Sequence, residues 1–224
     1  MKTNLIILGA GGHATVLLDT LLKMPDVNII GILDANPTLT GKKILDVPIL
    51  GQDEKIFSYA PDSVQLVNGI GSVDIPVARK TVYQLFKSRG YSFYTVVHPT
   101  ASIGQECELG EGVQIMAGCI VQPRTVIGAN AIINTRVSLD HDCVIGAHTH
   151  IAPGAILSGN VHVAEDSHIG PGAVIIQGIS VGKHSLVGAG AVVIHQIESY
   201  SRVAGVPAKG IATIRENFSD EELE

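Results

Sequence analysis

Residues 126–151 read VIGANAIINTRVSLDHDCVIGAHTHI, with an aliphatic residue at every sixth place: Ile127, Ile133, Leu139, Ile145 and Ile151. The register runs from Ile103 to Val193 without insertion or deletion, and all sixteen of its positions are aliphatic. Two places before each stands a second series, Ala101 to Ala191, of which twelve in sixteen are Ala, Cys, Ser or Thr. A helix would repeat its apolar residues at three and four, and a simple strand at two. Period six is therefore a repeat architecture, a short strand followed by a corner. Large side chains fill the middle of a tube, and small ones sit where its walls approach. Three hexads close one triangular turn, and five coils at about 4.8 Å per layer stand about 25 Å tall. Glycines such as Gly104, Gly128 and Gly146 follow the aliphatic residue, where a corner is expected to need backbone freedom.

Composition narrows the function. The 224 residues suffice for two modest domains. A net charge of −6 leaves no basic cluster to neutralise nucleic-acid phosphates. The mean hydropathy is +0.33, yet no apolar run is long enough to span a bilayer, so no membrane insertion is expected. The short run Leu5–Leu8 leads into glycines rather than a cleavage site, which predicts a cytoplasmic protein. Cys107, Cys119 and Cys143 all occupy the small inward position and are expected to be packing residues.

Ahead of the repeats, Leu5–Leu8 reads as a strand ending at Gly9-Ala10-Gly11-Gly12-His13-Ala14. A helix with Val16, Leu17, Leu21 and Leu22 on its buried face follows, then a strand over 28–33 ending at Asp34. Gly9, Gly11 and Ala14 fit the dinucleotide fingerprint G-x-G-x-x-[GA], and Asp34 stands where an acid holds a ribose hydroxyl. The ligand classes are a nicotinamide dinucleotide or a nucleotide-linked sugar. About 95 residues hold only one half of a doubly wound sheet, which favours the second class. A third strand over 64–70 brings Gly69 and Gly71 to the same edge, and a helix over 76–89 and a strand over 93–97 complete the unit. The domains are expected at 1–98 and 99–210, with a C-terminal tail over 211–224 whose acidic end is Ser219–Glu224.

Within the repeats Asp140-His141-Asp142 stands out. An imidazole between two carboxylates can be held in one tautomer and kept basic near neutral pH. His141 and His150 are nine residues apart in an eighteen-residue coil, half a turn round the prism. If both serve one site, they come from neighbouring subunits, which predicts a homotrimer with sites between prisms.

The [LIV]-G-x-x-x-x motif, as in Ile127-Gly128 and Ile145-Gly146, resembles the hexapeptide repeat of left-handed β-helix acyltransferases. That resemblance implies an α/β Rossmann-like half domain followed by a left-handed parallel β-helix, a hand contrary to the usual crossover rule. With His13, Asn134, the acidic-His-acidic triplet, His150 and the closing Gly205-Val206-Pro207-Ala208-Lys209, the chain is similar to bacterial sugar acetyltransferases. Their members N-acetylate UDP-4-amino-sugars or O-acetylate sialic acid. The resemblance implies His141 as general base, with Asp142 or Asp140 orienting it. It implies acetyl-CoA as cosubstrate, contacted by His150, Gly159, Gly188, Gly205, Pro207 and Lys209. It also implies a nucleotide sugar held by Gly9, Gly11, Gly12, His13, Asp34, Gly69, Gly71 and Asn134, with no metal. N-acetylation is the expected reaction, because the Gly9–Asp34 unit suits a nucleotide-linked acceptor. The rival classes are a sialic acid O-acetyltransferase, a zinc enzyme resembling γ-class carbonic anhydrases, and a non-catalytic scaffold. The zinc class is disfavoured because no two histidines stand five residues apart. The column Asn130, His148, Asp166, His184 is expected to be a solvated stack.

Overall fold

The computed structural model describes residues 2–213; the acidic end at Ser219–Glu224 lies outside them. Strand β1 (Thr3–Leu8) is buried on both faces, as parallel strands are. Its Leu5 and Ile7 join the cluster holding Ala14, Leu17, Leu18 and Leu21 of helix α1 (Gly12–Leu21). Ile6 and Leu8 pack with Tyr83 and Phe86 of helix α2 (Val77–Ser88). The other strands are β2 (Val27–Leu33), β3 (Lys43–Ile44), β4 (Val47–Gly51), β5 (Gln65–Asn68) and β6 (Ser92–Phe93), and the sheet order is β3-β4-β2-β1-β5-β6. All pairings are parallel except the β3–β4 hairpin. The sequence pattern does not announce β4, whose apolar run is broken by Pro48 near its start, opposite Lys43 of the two-residue β3.

The expected helical face keeps Leu17 and Leu21 and loses its other two residues. Val16 and Leu22 are about half exposed, and Ala14 and Leu18 take their places inside. The expected strand over 93–97 divides in two: Ser92–Phe93 closes the α/β sheet, while Val96–Val97 pairs with Gln114–Ile115 as the first rung of the prism. The coil thus starts before His98, and one domain runs straight into the other.

From there a three-walled parallel β-helix rises in two-residue rungs, each paired with residues eighteen further on, as in Gln114 with Ile132 and His150 with His168. Ile115, Ile133, Ile151, Ile169 and Val187 stack inside one wall, all buried. Cys119 and Cys143 are buried, Cys107 is half-buried, and all three are free thiols. The outward residues of this wall, Gln114, Ile132, His150 and His168, are buried as well, because the α/β domain covers them. On the other two walls Ile120, Val126, Val144 and Ile156 remain exposed.

The corner glycines serve another purpose than the one expected. Left-handed φ occurs three places after the aliphatic residue, at Asn130 (57°), Asp142 (60°), His148 (60°) and Gly154 (71°), rather than one place after. Asn, Asp and His tolerate that region better than most residues. Gly128 is needed for space: a Cβ there would stand 2.5 Å from the Ala147 nitrogen in the next coil. Coil stacking, with Gly128 N donating to Ile145 O at 2.7 Å, leaves no room for a methyl group. Gly128→Ala should lower the unfolding free energy by about 1–3 kcal/mol. Urea denaturation of the two proteins measures this, and unchanged stability would contradict the close-approach account.

Candidate active site at the domain junction

Strand β1 lies between β2 and β5, so the chain builds to one side of it through β2–β4 and then crosses to the other at β5, which opens a crevice at the carboxyl ends of β1 and β5. The turn after β1 and the turn after β5 meet there. A Cβ on Gly69 would lie 2.7 Å from Leu8 O and 2.9 Å from the Ala14 Cβ, and one on Gly71 would lie 3.1 Å from the His13 Cβ. These glycines let the two turns touch. Between them and the prism lies a cleft of about 610 Å³ whose lining includes Gly11, Gly12, His13, Gly69, Gly71, Asn134 and His150. Gly9 and Asp34 stand behind it. The Asp34 carboxylate accepts from Ala10 N at 2.7 Å and Asn36 N at 2.9 Å, so it braces the glycine turn.

The tautomers of both cleft histidines follow from their partners. Gln114 Nε2 donates to Asn68 O at 2.8 Å, which aims Oε1 at His13 Nε2, 2.7 Å away; Nε2 therefore carries the proton and Nδ1 is the acceptor. Asn134 Oδ1 accepts from Thr135 N at 2.8 Å, so its Nδ2 donates to His150 Nε2 at 3.0 Å. His150 Nδ1–H is then the donor to Ser72 O at 3.1 Å, with Ser72 Oγ 2.9 Å away. Burial first, then the neighbouring charges, pushes His13 down to about 4 and His150 down to about 3. Both are neutral at physiological pH. Because both nitrogens of His150 are taken, its ring has no free N–H for a thioester oxygen; it ties the Ser72 turn to the prism.

His141 stands on the prism corner after Ser138–Leu139, half exposed and outside the cleft lining. Asp142 Oδ2 lies 2.6 Å from its Nδ1, whereas Asp140 Oδ1 accepts from its backbone N at 2.8 Å. Asp142 is thus the residue that holds the ring, through Nδ1, with Nε2 unpartnered among the described residues. Arg124, one coil below, grips Asp142 with Nε at 2.6 Å and Nη2 at 2.9 Å. That fork, and then the His141 bond, holds the Asp142 carboxyl far below the usual carboxylate range. Gly159 makes room for the ring: a Cβ there would stand 2.7 Å from His141 Nε2.

The model of the PglD N-terminal domain matches residues 4–86, and that of the bacterial transferase hexapeptide (six repeats) matches residues 124–159. The acetyltransferase domain of PglB from Neisseria gonorrhoeae is 30% identical, over 94% of this chain and 100% of that one, with a TM-score of 0.86. PerB from Caulobacter crescentus, solved with CoA and GDP-perosamine, is 34% identical, over 93% of this chain and 97% of that one, also with a TM-score of 0.86. The chain belongs to the hexapeptide-repeat sugar acetyltransferases. WeeI from Acinetobacter baumannii is 26% identical, over 94% of this chain and 100% of that one, with a TM-score of 0.84. No curated protein matches the chain. The coil of this acetyltransferase is the left-handed parallel β-helix of its family.

The closing residues of the acetyltransferase lie apart from the cleft. Strands over Ser201–Ala204 and Lys209–Thr213 pair antiparallel, with Gly205 at φ 97° between them, and Ala208 N donates to Val192 O at 2.7 Å. Gly188 lies under this hairpin, where a Cβ would meet the Ala204 Cβ at 2.9 Å. Sequence reasoning passed over Arg124, Gln114 and Arg79. Coil arithmetic finds the first, since Arg124 stands eighteen residues before Asp142. The expected solvated column is in fact enclosed: Asn130 and Asp166 are buried beneath α2, where Lys80 Nζ meets Asp166 at 2.9 Å and Tyr83 packs edge-on against His148. Helix α2 covers the wall that spacing alone left open. Among the described residues no cluster of three His, Cys, Asp or Glu is arranged for a metal ion, and no helix is long and apolar enough to cross a membrane.

The neutral histidines set a pH dependence of stability. Their folded pKa values lie below the unfolded 6.5, so the unfolded chain takes up protons that the folded chain refuses. Their contribution is complete above about 6.5 and is lost as pH falls toward 4 and 3, with a slope of up to about 1.4 kcal/mol per pH unit for each ring. Urea unfolding at pH 7 and pH 5 should show the decline. His150→Gln should flatten it, and an unaltered slope would contradict the assignment.

Proposed function

We propose that the protein transfers the acetyl group of acetyl-CoA to the amine of a nucleotide-linked amino sugar of the UDP-4-amino-sugar type, with His141 as general base. Support comes chiefly from the Arg124–Asp142–His141 chain, which engages Nδ1 of a half-exposed ring and leaves Nε2 above Gly159. As the amine nitrogen attacks the thioester carbonyl, Nε2 takes its proton. The tetrahedral intermediate then collapses, the carbon–sulfur bond breaks, and the proton passes to the departing thiolate. Backbone N–H groups are the donors available to the oxyanion. The cleft between the glycine turns takes the nucleotide-linked sugar, with Gly11, Gly12, Gly69 and Gly71 admitting the diphosphate and His13 Nδ1 accepting from the sugar. Gly205, Pro207 and Lys209 belong to the acetyl-CoA end of the site. PerB variants with one histidine replaced by asparagine or alanine hold CoA and GDP-perosamine together, which favours direct transfer in a ternary complex over an acetyl-enzyme.

His141 stands on the corner between the walls of Ser138–Leu139 and Val144–Ile145, opposite the wall that carries His150, and the cleft that contains His150 does not include His141. A homotrimer, with the cleft of one subunit facing the His141 corner of the next, brings them to a common site. The exposed aliphatic wall with Ile120 and Ile156 suits such contacts.

Thiol release from acetyl-CoA against UDP- and GDP-linked 4-amino sugars and sialic acid tests the reaction and acceptor together. A sialic acid preference would refute the amine acceptor. His141→Ala should lower kcat by roughly 10²–10⁴-fold, and Asp142→Asn by less, with KM for acetyl-CoA little changed. Full activity of His141→Ala would end its role as base. Mixed trimers of His141→Ala and His150→Ala subunits should recover part of the activity that each homotrimer lacks; no recovery would argue against sites shared between subunits.

A further inference from the structure

Arg79, near the start of α2, is the one Lys or Arg side chain buried among the described residues, at 1% exposure. Among the described residues no carboxylate pairs with it. Its Nε donates to Asn130 O at 3.0 Å, and its Nη1 donates to Asn68 O at 2.8 Å and Ile70 O at 2.9 Å. Its Nη2 is buried with no hydrogen-bond partner among the described residues. Burial pulls the guanidinium down to about 9, so it stays charged at neutral pH. The nearby buried acid is already engaged, since Asp166 pairs with Lys80 and approaches His184. An interior charge without a counter-charge is costly, and such a group calls for an explanation.

The turn it grips is the far wall of the cleft. Asn68–Ile70 packs through Gly69 on Leu8, Gly9 and Ala14, and the Arg79 charge helps to depress both cleft histidines. Among the described residues no Lys or Arg lines the cleft, and His13 and His150 are neutral. Helix α1, which opens into it, has no side-chain cap and no acid in its first turn. A dianionic ligand there would find neutral walls, helix N–H groups and one cation beneath the floor. Asp34 behind the glycine turn adds a negative charge that such a ligand must also overcome.

We propose that Arg79, from beneath the Asn68–Ile70 turn, supplies the counter-charge that holds the diphosphate of the nucleotide-linked sugar. The inference rests on the nucleotide-sugar reading of the cleft. Arg79 acts through space: its hydrogen bonds turn the 68 and 70 carbonyls away from the ligand, and its field reaches the diphosphate. A unit charge acting over about 10 Å at an effective dielectric near 20 is worth roughly tenfold in affinity. The alternative is a purely structural tie, a guanidinium that fastens three carbonyls and has no bearing on the ligand.

Calorimetric titration of the full-length protein with UDP, GDP, their monophosphates and acetyl-CoA separates the two. Arg79→Gln should weaken the diphosphate by roughly tenfold and the monophosphate less, with acetyl-CoA affinity unchanged. Arg79→Lys keeps the charge but loses the fork, and should stay within about threefold of the wild type for the diphosphate even with a lowered Tm. Wild-type affinity in Arg79→Gln overturns the proposal. So does an equal loss in both variants, the signature of a structural tie. Should Arg79→Gln fail to fold, Arg79→Lys decides alone: retained diphosphate affinity supports the proposal and its loss overturns it. A wild-type protein that binds acetyl-CoA but neither diphosphate overturns the nucleotide-sugar reading itself, a result distinct from Arg79-independent binding.

Discussion

Each rung of the prism hydrogen-bonds to the rung eighteen residues later, and this spacing determines which side chains can meet. Arg124 reaches Asp142 because they are one coil apart, and Asn130 reaches His148 for the same reason. A parallel ladder carries its columns of like-placed residues straight up a wall, so one polar choice in one coil finds its partner in the next. His141 is held from two levels at once, by Asp142 beside it and by Arg124 below that carboxylate. The ring is thus fixed by the coil itself.

The second determinant is the polar seam between the domains. Asn68 donates to Asn130 Oδ1 and to Arg79 O, Gln114 reaches Asn68 O, and Ser72 and Asn134 bracket His150. Buried groups of this kind stabilise only when partnered, and nearly all of these are. The seam fixes the glycine turns against the prism, so the cleft is a property of both domains. Arg202 extends the contact by gripping Asp74 through both carboxylate oxygens at 2.9 Å, joining the loop beyond Ser72 to the last parallel strand of the coil.

How much of this the sequence disclosed follows from the range of the interactions. Period six is local and uninterrupted, and it yields the prism, its inward residues and the two buried cysteines, Cys119 and Cys143. The Gly9–Asp34 unit is likewise local, and its glycines do line or back the cleft. Long-range partners were hidden. Nothing near Gln114 indicates that it meets His13, 101 residues away, and nothing near Arg79 indicates that it lies under the Asn68–Ile70 turn. The enclosed column of Asn130, His148 and Asp166 was misjudged for the same reason: its spacing shows that the residues stack, while the cover comes from α2. Corner glycines misled differently, since close approach of coils and left-handed φ both select glycine, and only coordinates separate the two causes.

Unbroken register also limits how such a chain can diversify. One residue added within a wall would slide every later side chain out of its column, separating Arg124 from Asp142 and His150 from Asn134 in a single step. Changes of length are therefore driven toward the corners and the α/β domain, whose connections already range from the hairpin at 45–46 to the long excursion between β4 and β5. Within the walls, new chemistry can arise only by exchanging one residue for another, which leaves the coil framework fixed while the α/β half remains free to vary.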